Sequence, residues 1–216
     1  MNQQMKIKKV FLLSIAILLL AFPAAASAAD NATSQGSIQI TPGDTITPPI
    51  DPSVPGGGTG NQGSLTIDNV SPLLFDTHQL AGGKMTYSTT TVNPNVQVTD
   101  TRGTGTGWTL QVSATPFKDQ TDDTIVLKGA VVTLPVGMFV TTTGNVSATP
   151  MANSVQLSTD TDVTAPQNLM VAAVNTGLGT WVDKFNASNV IIEVPAGNLV
   201  GEYASTLYWS LLDAPQ

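Results

Sequence analysis

The sequence contains no cysteine and a single histidine, His78. Without cysteine there is neither thiol catalysis nor a disulfide framework, and one histidine cannot build a multi-histidine metal site. The Gly-x-Ser-x-Gly and His-Glu-x-x-His motifs are also missing. A Ser–His–Asp triad built on His78 has no local support, and we interpret His78 as a loop residue.

Basic residues are scarce, with eight Lys plus Arg against fifteen Asp plus Glu. Three of the lysines, Lys6, Lys8 and Lys9, precede an apolar run over residues 10–21, and Ala26-Ser27-Ala28 resembles a cleavage site. This pattern predicts an export signal over residues 1–28. Its removal takes the formal net charge from −7 to −10, a balance that repels nucleic acids and anionic lipids. We therefore exclude nucleic-acid binding and predict a secreted, extracellular protein.

Long hydrophobic runs are absent beyond the first 28 residues, and the N-terminal run is too short for a comfortable membrane span. We expect no membrane anchor in the mature protein. Residues 29–63 are rich in Pro, Gly and Thr, a composition that cannot bury much apolar surface. We predict a flexible tail there and favour a spacer role, with a partner-binding strand or polyproline segment as the alternative.

The remaining residues, 64–216, are short β-type segments punctuated by turns. Alternating apolar and polar residues occur over 64–68, 95–99, 107–113 and 154–157. Other segments are rich in Val, Ile, Leu and aromatics, and no window has a sustained helical period. The predicted fold class is all-β, a single antiparallel β-sandwich over residues 64–216.

Two tripeptides of the same form stand about a hundred residues apart. They are Trp108-Thr109-Leu110 and Trp209-Ser210-Leu211. On a strand, each places Trp and Leu on one face and the hydroxyl residue on the other. Alternation favours a buried core position for both Trp–Leu faces, since Trp is usually well buried. The alternative is a partly exposed aromatic surface that stacks on sugar rings or anchors a partner protein.

Carboxylate pairs are the remaining candidates for chemistry. Asp122-Asp123 and Asp160-x-Asp162 lie among Thr, Asn and Gln in loop-like sequence. Paired carboxylates can hydrolyse glycosides, and Asp-x-Asp is part of calcium loops, but the full Asp-x-Asp-x-Asp-Gly pattern is missing. We interpret these residues as solvated turns and predict neither an enzyme nor a cofactor or metal site.

Asp100-Thr101-Arg102-Gly103 precedes the first tripeptide. Its Asp and Arg are two positions apart. We interpret Asp100 and Arg102 as an ion pair in a turn that sets the entry angle of the Trp108 strand; if it is exposed, it adds little stability.

The surroundings of the second tripeptide resemble the WxL family of surface proteins from Gram-positive bacteria. The distal pattern of that family is matched in full by Tyr203, Leu207, Trp209, Leu211, Ala214 and Pro215. Its proximal motif is similar to Asp100 through Leu110, and the start of its domain is similar to residues 63–75. One departure is Asp76, where a small residue is expected after Phe75.

The resemblance implies a small, single-domain protein attached non-covalently to the cell wall through peptidoglycan. It also implies a surface complex with a membrane-anchored WxL-interacting protein and other WxL proteins. The residues that it marks as contacts, or as supports of the contact surface, are Trp108, Leu110, Tyr203, Leu207, Trp209 and Leu211. The alternative is a protein-interaction or adhesion module that binds the membrane protein or a host extracellular matrix and touches the wall only indirectly.

Overall fold

The computed structural model describes residues 32–215, so the predicted export signal lies outside the described residues. Within them the regular secondary structure is β-strand, apart from one short 3₁₀ helix at Ala187–Asn189. The strands are β1 (Leu65–Val70), β2 (Met85–Ser88), β3 (Asn95–Asp100), β4 (Trp108–Ala114), β5 (Lys118–Asp119), β6 (Val131–Leu134), β7 (Met138–Thr141), β8 (Met151–Ala152), β9 (Val155–Leu157), β10 (Gln167–Ala172), β11 (Gly179–Lys184), β12 (Ile191–Val194), β13 (Tyr203–Ala204) and β14 (Leu207–Leu212). No helix over residues 32–215 has the length and hydropathy needed to cross a bilayer.

The strands form three four-stranded sheets. The first has the order β1-β3-β11-β7, the second β14-β4-β10-β8 and the third β2-β12-β6-β9, while β13 pairs only with β5. Every pairing between named strands is antiparallel. The predicted all-β antiparallel fold is confirmed.

The main hydrophobic core lies between the first and second sheets. Val96 and Val98 of β3 share one buried cluster with Trp108 and Leu110 of β4 and with Met170 of β10. Along β3 and β4 these side chains alternate with polar ones, which is how a sandwich buries one face of each sheet. A smaller cluster, formed by Leu127, Ala130, Val132 and Ile192, includes residues of β6 and β12 in the third sheet.

A segment before β1 runs across the outer side of the first sheet. We call residues 43–62 the N-terminal strap. Its backbone bonds to β1 through Val70 N–H to Gly57 O (2.9 Å), and to the chain on either side of β3 through Val54 N–H to Val92 O (2.9 Å) and Gly43 N–H to Thr101 O (3.1 Å). The strap thereby covers a buried polar face of the sheet that includes Gln97, Thr99 and Asn95.

The structure differs here from the flexible tail expected over residues 29–63. Contacts within residues 40–216 place the strap in the same compact unit as the sandwich, whereas residues 32–39, described separately, are exposed and irregular. The prediction considered only how much apolar surface this composition can bury. The strap is instead held in place by polar contacts. The Gln97 amide bonds Ile50 N–H (2.8 Å) and Pro48 O (3.2 Å), and Lys184 Nζ lies 2.8 Å from Asp51 Oδ2.

Candidate functional site

The two Trp-x-Leu tripeptides lie on neighbouring strands of the second sheet. β14 pairs with β4 so that Leu211 is opposite Leu110 and Trp209 is opposite Val112. Directly opposed residues point to the same face, so both Trp–Leu faces turn toward the main core. Trp108 and Trp209 nevertheless lie at opposite ends of the pair, roughly 13 Å apart along the strands. They therefore form one continuous core surface but no joint aromatic platform.

Trp108 and Leu110 are completely buried, with no exposed surface. The Trp108 indole N–H donates to Gly177 O at 3.1 Å, which satisfies the one polar atom of that side chain inside the core. The alternation along β4 thus correctly favours the core for Trp108. A side chain buried to this degree presents no surface to a ligand.

The distal residues are only half buried. Tyr203, Leu207, Trp209 and Leu211 keep part of their surface in solvent. Leu207, Trp209 and Leu211 pack against the main core, while Tyr203 packs against the smaller cluster. The Tyr203 hydroxyl donates to Leu199 O at 3.0 Å, and partial burial, helped by the charge of Asp119, raises the pKa of Tyr203. Tyr203 stays protonated and neutral near pH 7.

Arg102 joins the two tripeptide strands at one end. Its guanidinium makes a bidentate contact with Asp100, with Nε at 2.9 Å from Oδ1 and Nη2 at 2.7 Å from Oδ2. Nη2 also donates to Gly107 O at 2.9 Å, and Nη1 pairs with Asp213 just after β14. The side chains of Asp100 and Arg102 are only 1% and 11% exposed. The predicted turn pair is therefore buried, and it links the end of β3 with the start of β4 and the end of β14.

Gly107 makes the entry into β4 possible. Its φ is +81°, a conformation that side-chain-bearing residues rarely adopt, and an added Cβ would lie 2.4 Å from Ala172 O on the neighbouring strand. The Arg102 contact to Gly107 O fixes the same residue. Together they set the angle at which the chain delivers Trp108 to the core.

The outer face of the second sheet is uncharged, with polar residues along much of β14 and β4 and the apolar Met151, Val171 and Leu212 at one end. Tyr208, which is 52% exposed, and Ser210 project from β14, opposite Ser113 and Gln111 of β4. Gln111 Nε2 donates to Asn168 Oδ1 on β10 at 2.8 Å. The four described strands of this sheet contain no Asp, Glu, Lys or Arg. This face thus presents amide groups, hydroxyl groups and one exposed aromatic ring, and no charged side chain from these strands.

An apolar cleft of about 1470 Å³ borders the inner side of β14. Side chains from both hydrophobic clusters line it, among them Leu73, Phe75, Phe117, Tyr203, Leu207 and Trp209. Sequence reasoning identified the last three as site residues but missed Leu73, Phe75 and Phe117. The adjoining Leu73-Leu74-Phe75 run was a usable signal for the cleft, because three large apolar residues in a loop need either a core or a partner.

The carboxylate pairs behave as turn residues. Asp122 Oδ1 accepts the Thr124 N–H (3.0 Å) and hydroxyl (2.6 Å), contacts that hold the pKa of Asp122 below its usual value. Asp160 Oδ1 accepts Gly129 N–H at 2.8 Å. Among the described residues no group of three or more His, Cys, Asp or Glu is placed to hold a metal ion. These contacts agree with the turn interpretation.

His78 lies in the irregular segment between β1 and β2, as expected of a loop residue. Its ring stacks on Tyr87, with centroids 3.7 Å apart, and its Nε2 is 2.5 Å from Phe75 O. These contacts place His78 at the cleft. The two contacts connect this segment to β2 and to its own backbone.

Comparison with known families identifies the family of this domain. A family model described as "WxL domain surface cell wall-binding" matches residues 27–215. The match covers both tripeptides, the Arg102 contacts and the strap. No curated protein matches the chain, and no solved structure matches it.

Proposed function

The chain belongs to the WxL family of surface cell wall-binding domains, and on that premise we propose that it holds to the wall by non-covalent binding of peptidoglycan. Its place is the cell wall and cell surface. The proposal concerns the ligand and the surface that meets it.

The observation that carries the proposal is the uncharged outer face of the second sheet. A peptidoglycan strand presents sugar hydroxyls and the C–H faces of pyranose rings. The exposed ring of Tyr208 suits stacking on such a face, and Ser210, Gln111 and Asn168 supply hydrogen-bond donors and acceptors. An uncharged face also avoids repulsion between an acidic protein and the anionic polymers of a wall.

In this proposal the Trp-x-Leu residues support the contact surface from behind. Trp108 and Leu110 are in the core, and their strands carry the outward residues of the binding face. Arg102 holds the two strands together at one end. We expect substitutions at these positions to weaken wall binding indirectly, because they disturb the sheet that carries the binding face.

Co-sedimentation with purified peptidoglycan, stripped of protein and anionic polymers, tests the proposal. We expect the Tyr208→Ala, Gln111→Ala double variant to be retained several-fold less than the wild type while giving the same circular dichroism spectrum. Met138→Ala is the matched control, because Met138 is 75% exposed but lies on the first sheet. Equal retention of the double variant and the wild type would overturn the proposal.

We propose that the domain acts by binding alone, since the family is a wall-binding one and the candidate carboxylates are engaged in turns. Incubation of purified protein with peptidoglycan should release no soluble fragments. Release of fragments that is lost in an Asp122→Asn or Asp160→Asn variant would contradict this.

A second candidate function is protein interaction within a surface complex, the partners implied being a membrane-anchored WxL-interacting protein and other WxL proteins. The cleft beside β14 favours it, because a groove lined by apolar side chains is the kind of surface on which a protein partner docks. The two functions use different faces of the same sheet and can coexist.

A further inference from the structure

The strand β14 is an unprotected sheet edge. It pairs with β4 on one side, and no other strand of the described chain pairs with it. Its sequence, Leu-Tyr-Trp-Ser-Leu-Leu, has no charge, proline or glycine. Natural proteins usually protect edge strands with such residues or cover them, because a free edge invites a further strand. An edge left in this form is a template for strand addition.

The β1 edge of the first sheet, in contrast, is covered. β1 is the edge strand of the first sheet, and the strap runs along its outer side. Val70 N–H donates to Gly57 O and Thr59 N–H donates to Asp68 O, both at 2.9 Å. The chain thus covers β1 with its own backbone but leaves β14 open on the side where the cleft lies.

The cleft beside β14 is suited to alternating apolar side chains. Leu207 and Trp209, two positions apart on β14, face the cleft together with Leu73 and Phe75. Exposed aliphatic residues surround its mouth, with Leu80, Leu199 and Val200 at 57%, 62% and 80% exposure. A sugar ligand would need a denser set of polar groups, so this lining favours a protein segment.

The charges at the cleft are of one sign. Its acidic side chains are Asp76 and Glu202, both exposed, and none of the described residues that line it is Lys or Arg. A second copy of this acidic chain would bring like charges together. A segment that carries basic residues beside its apolar ones would complement the mouth.

We propose that β14 and the cleft accept an extended, basic-flanked segment of another protein, which adds to β14 as a further strand and inserts alternate apolar side chains into the cleft. Backbone hydrogen bonds to β14 provide affinity, and the cleft and its carboxylates select the side chains. The inference deepens the protein-interaction function and is independent of peptidoglycan binding.

The probe for this proposal is a synthetic peptide of alternating valine and threonine with two lysines at each end. We expect it to slow amide hydrogen exchange in Leu207–Leu212, and a glutamate-flanked peptide of the same core to bind several-fold more weakly. A lysine-flanked peptide methylated on alternate backbone nitrogens should bind weakly too, because it cannot donate to β14. Failure of the lysine peptide to protect β14, or equal binding of all three peptides, would overturn the proposal.

Charge-neutral variants provide the structural control. Asp76→Asn with Glu202→Gln keeps the shapes of two exposed side chains and should abolish the preference for lysine flanks. Asp44→Asn with Asp123→Asn, two exposed carboxylates outside the cleft, should leave it unchanged. Loss of the preference in the second pair would contradict the assignment to the cleft.

The same experiment separates the other occupants. Protection of β14 in the free protein that grows with protein concentration identifies a second copy as occupant, and protection by soluble peptidoglycan fragments identifies a glycan; either result overturns the proposal. Peptidoglycan retention of the Asp76→Asn, Glu202→Gln variant should equal that of the wild type. Failure of wall binding and failure of strand addition are thus distinguishable.

Discussion

Leu110 and Leu211 lie directly opposite each other on adjacent antiparallel strands, although 101 positions separate them in the sequence. This pairing explains why the chain carries the same tripeptide twice. The two copies are the two halves of one core-facing strip beneath the outer face of the second sheet. Their residues differ in burial, however, and several predictions depend on that difference.

Alanine at the two tryptophans should have unequal effects. Trp108 is fully buried with its indole N–H bonded, so we expect Trp108→Ala to lower the free energy of unfolding by about 3–5 kcal/mol. Trp209→Ala should cost less, because part of that ring is already in solvent. Urea unfolding followed by circular dichroism measures both. A larger loss for Trp209→Ala would contradict the assignment of burial.

Loss of the Arg102 side chain should destabilise the domain far more than loss of a surface ion pair. Arg102→Gln leaves the buried Asp100 carboxylate without its partner, at a cost of about 3–5 kcal/mol. Arg102→Lys should recover only part of this, because an ammonium group cannot make the bidentate contact. Lys84→Gln is the control. Its pair with Glu193 is on the surface and contributes at most about 1 kcal/mol. Unfolding in urea compares the three, and equal losses would refute the Arg102 role.

Asp183 should make the domain less stable as the pH rises. Both carboxylate oxygens are buried without a hydrogen-bond partner, and burial raises the pKa of Asp183 to about 7. Between pH 4 and 7 the unfolded chain ionises this group while the folded chain keeps it protonated. The contribution of Asp183 to the free energy of unfolding is therefore most favourable below pH 4. It falls as the pH rises, and above pH 7 the free energy of unfolding is lower by about 4 kcal/mol.

The Asp183→Asn variant isolates this contribution. An amide of the same shape carries no charge at any pH, so the difference in unfolding free energy between variant and wild type should grow from pH 4 to pH 8. Asp123→Asn, at an exposed position, should track the wild type throughout. A difference that stays constant with pH would exclude the proposed ionisation.

A single methyl group at Gly57 should loosen the strap. A Cβ there would lie 2.1 Å from Val70 O, so Gly57→Ala must push the strap away from β1. We expect faster amide exchange at Val70, whose N–H bonds Gly57 O. Gly56→Ala is the matched control, because an added Cβ at Gly56 meets nothing within 4 Å. Equal exchange in the two variants would show that the strap does not depend on this close approach.

The alternating strands were predictable from the sequence, and β4 is an example. Trp108, Leu110 and Val112 face the core while Gln111 faces outward, as alternation predicts. Residues 203–212, a run rich in Tyr, Leu and Trp, are split into β13 and β14. The split occurs where the Ser205 hydroxyl and Thr206 N–H bond to Thr115, a long-range contact that no local pattern encodes.

β11 was missed because both of its faces are buried. Trp181 packs in the main core with Asp183 on the same face, while Thr180 bonds Thr99 beneath the strap. The polar residues on both faces conceal the alternation used to find strands. The strap was misjudged for a related reason. Its partners Gln97 and Asn95 are polar groups on another strand, and composition carries no record of them.

The pairing of β4 with β14 also has a kinetic consequence. Closing it requires the chain to form a loop of about a hundred residues, a contact of the kind that slows folding. Until residues 207–213 are available, β4 is itself an open edge and Arg102 lacks Asp213. During folding, therefore, the domain passes through a stage in which one edge of β4 is exposed. The timing of β14 docking determines how long that aggregation-prone stage lasts.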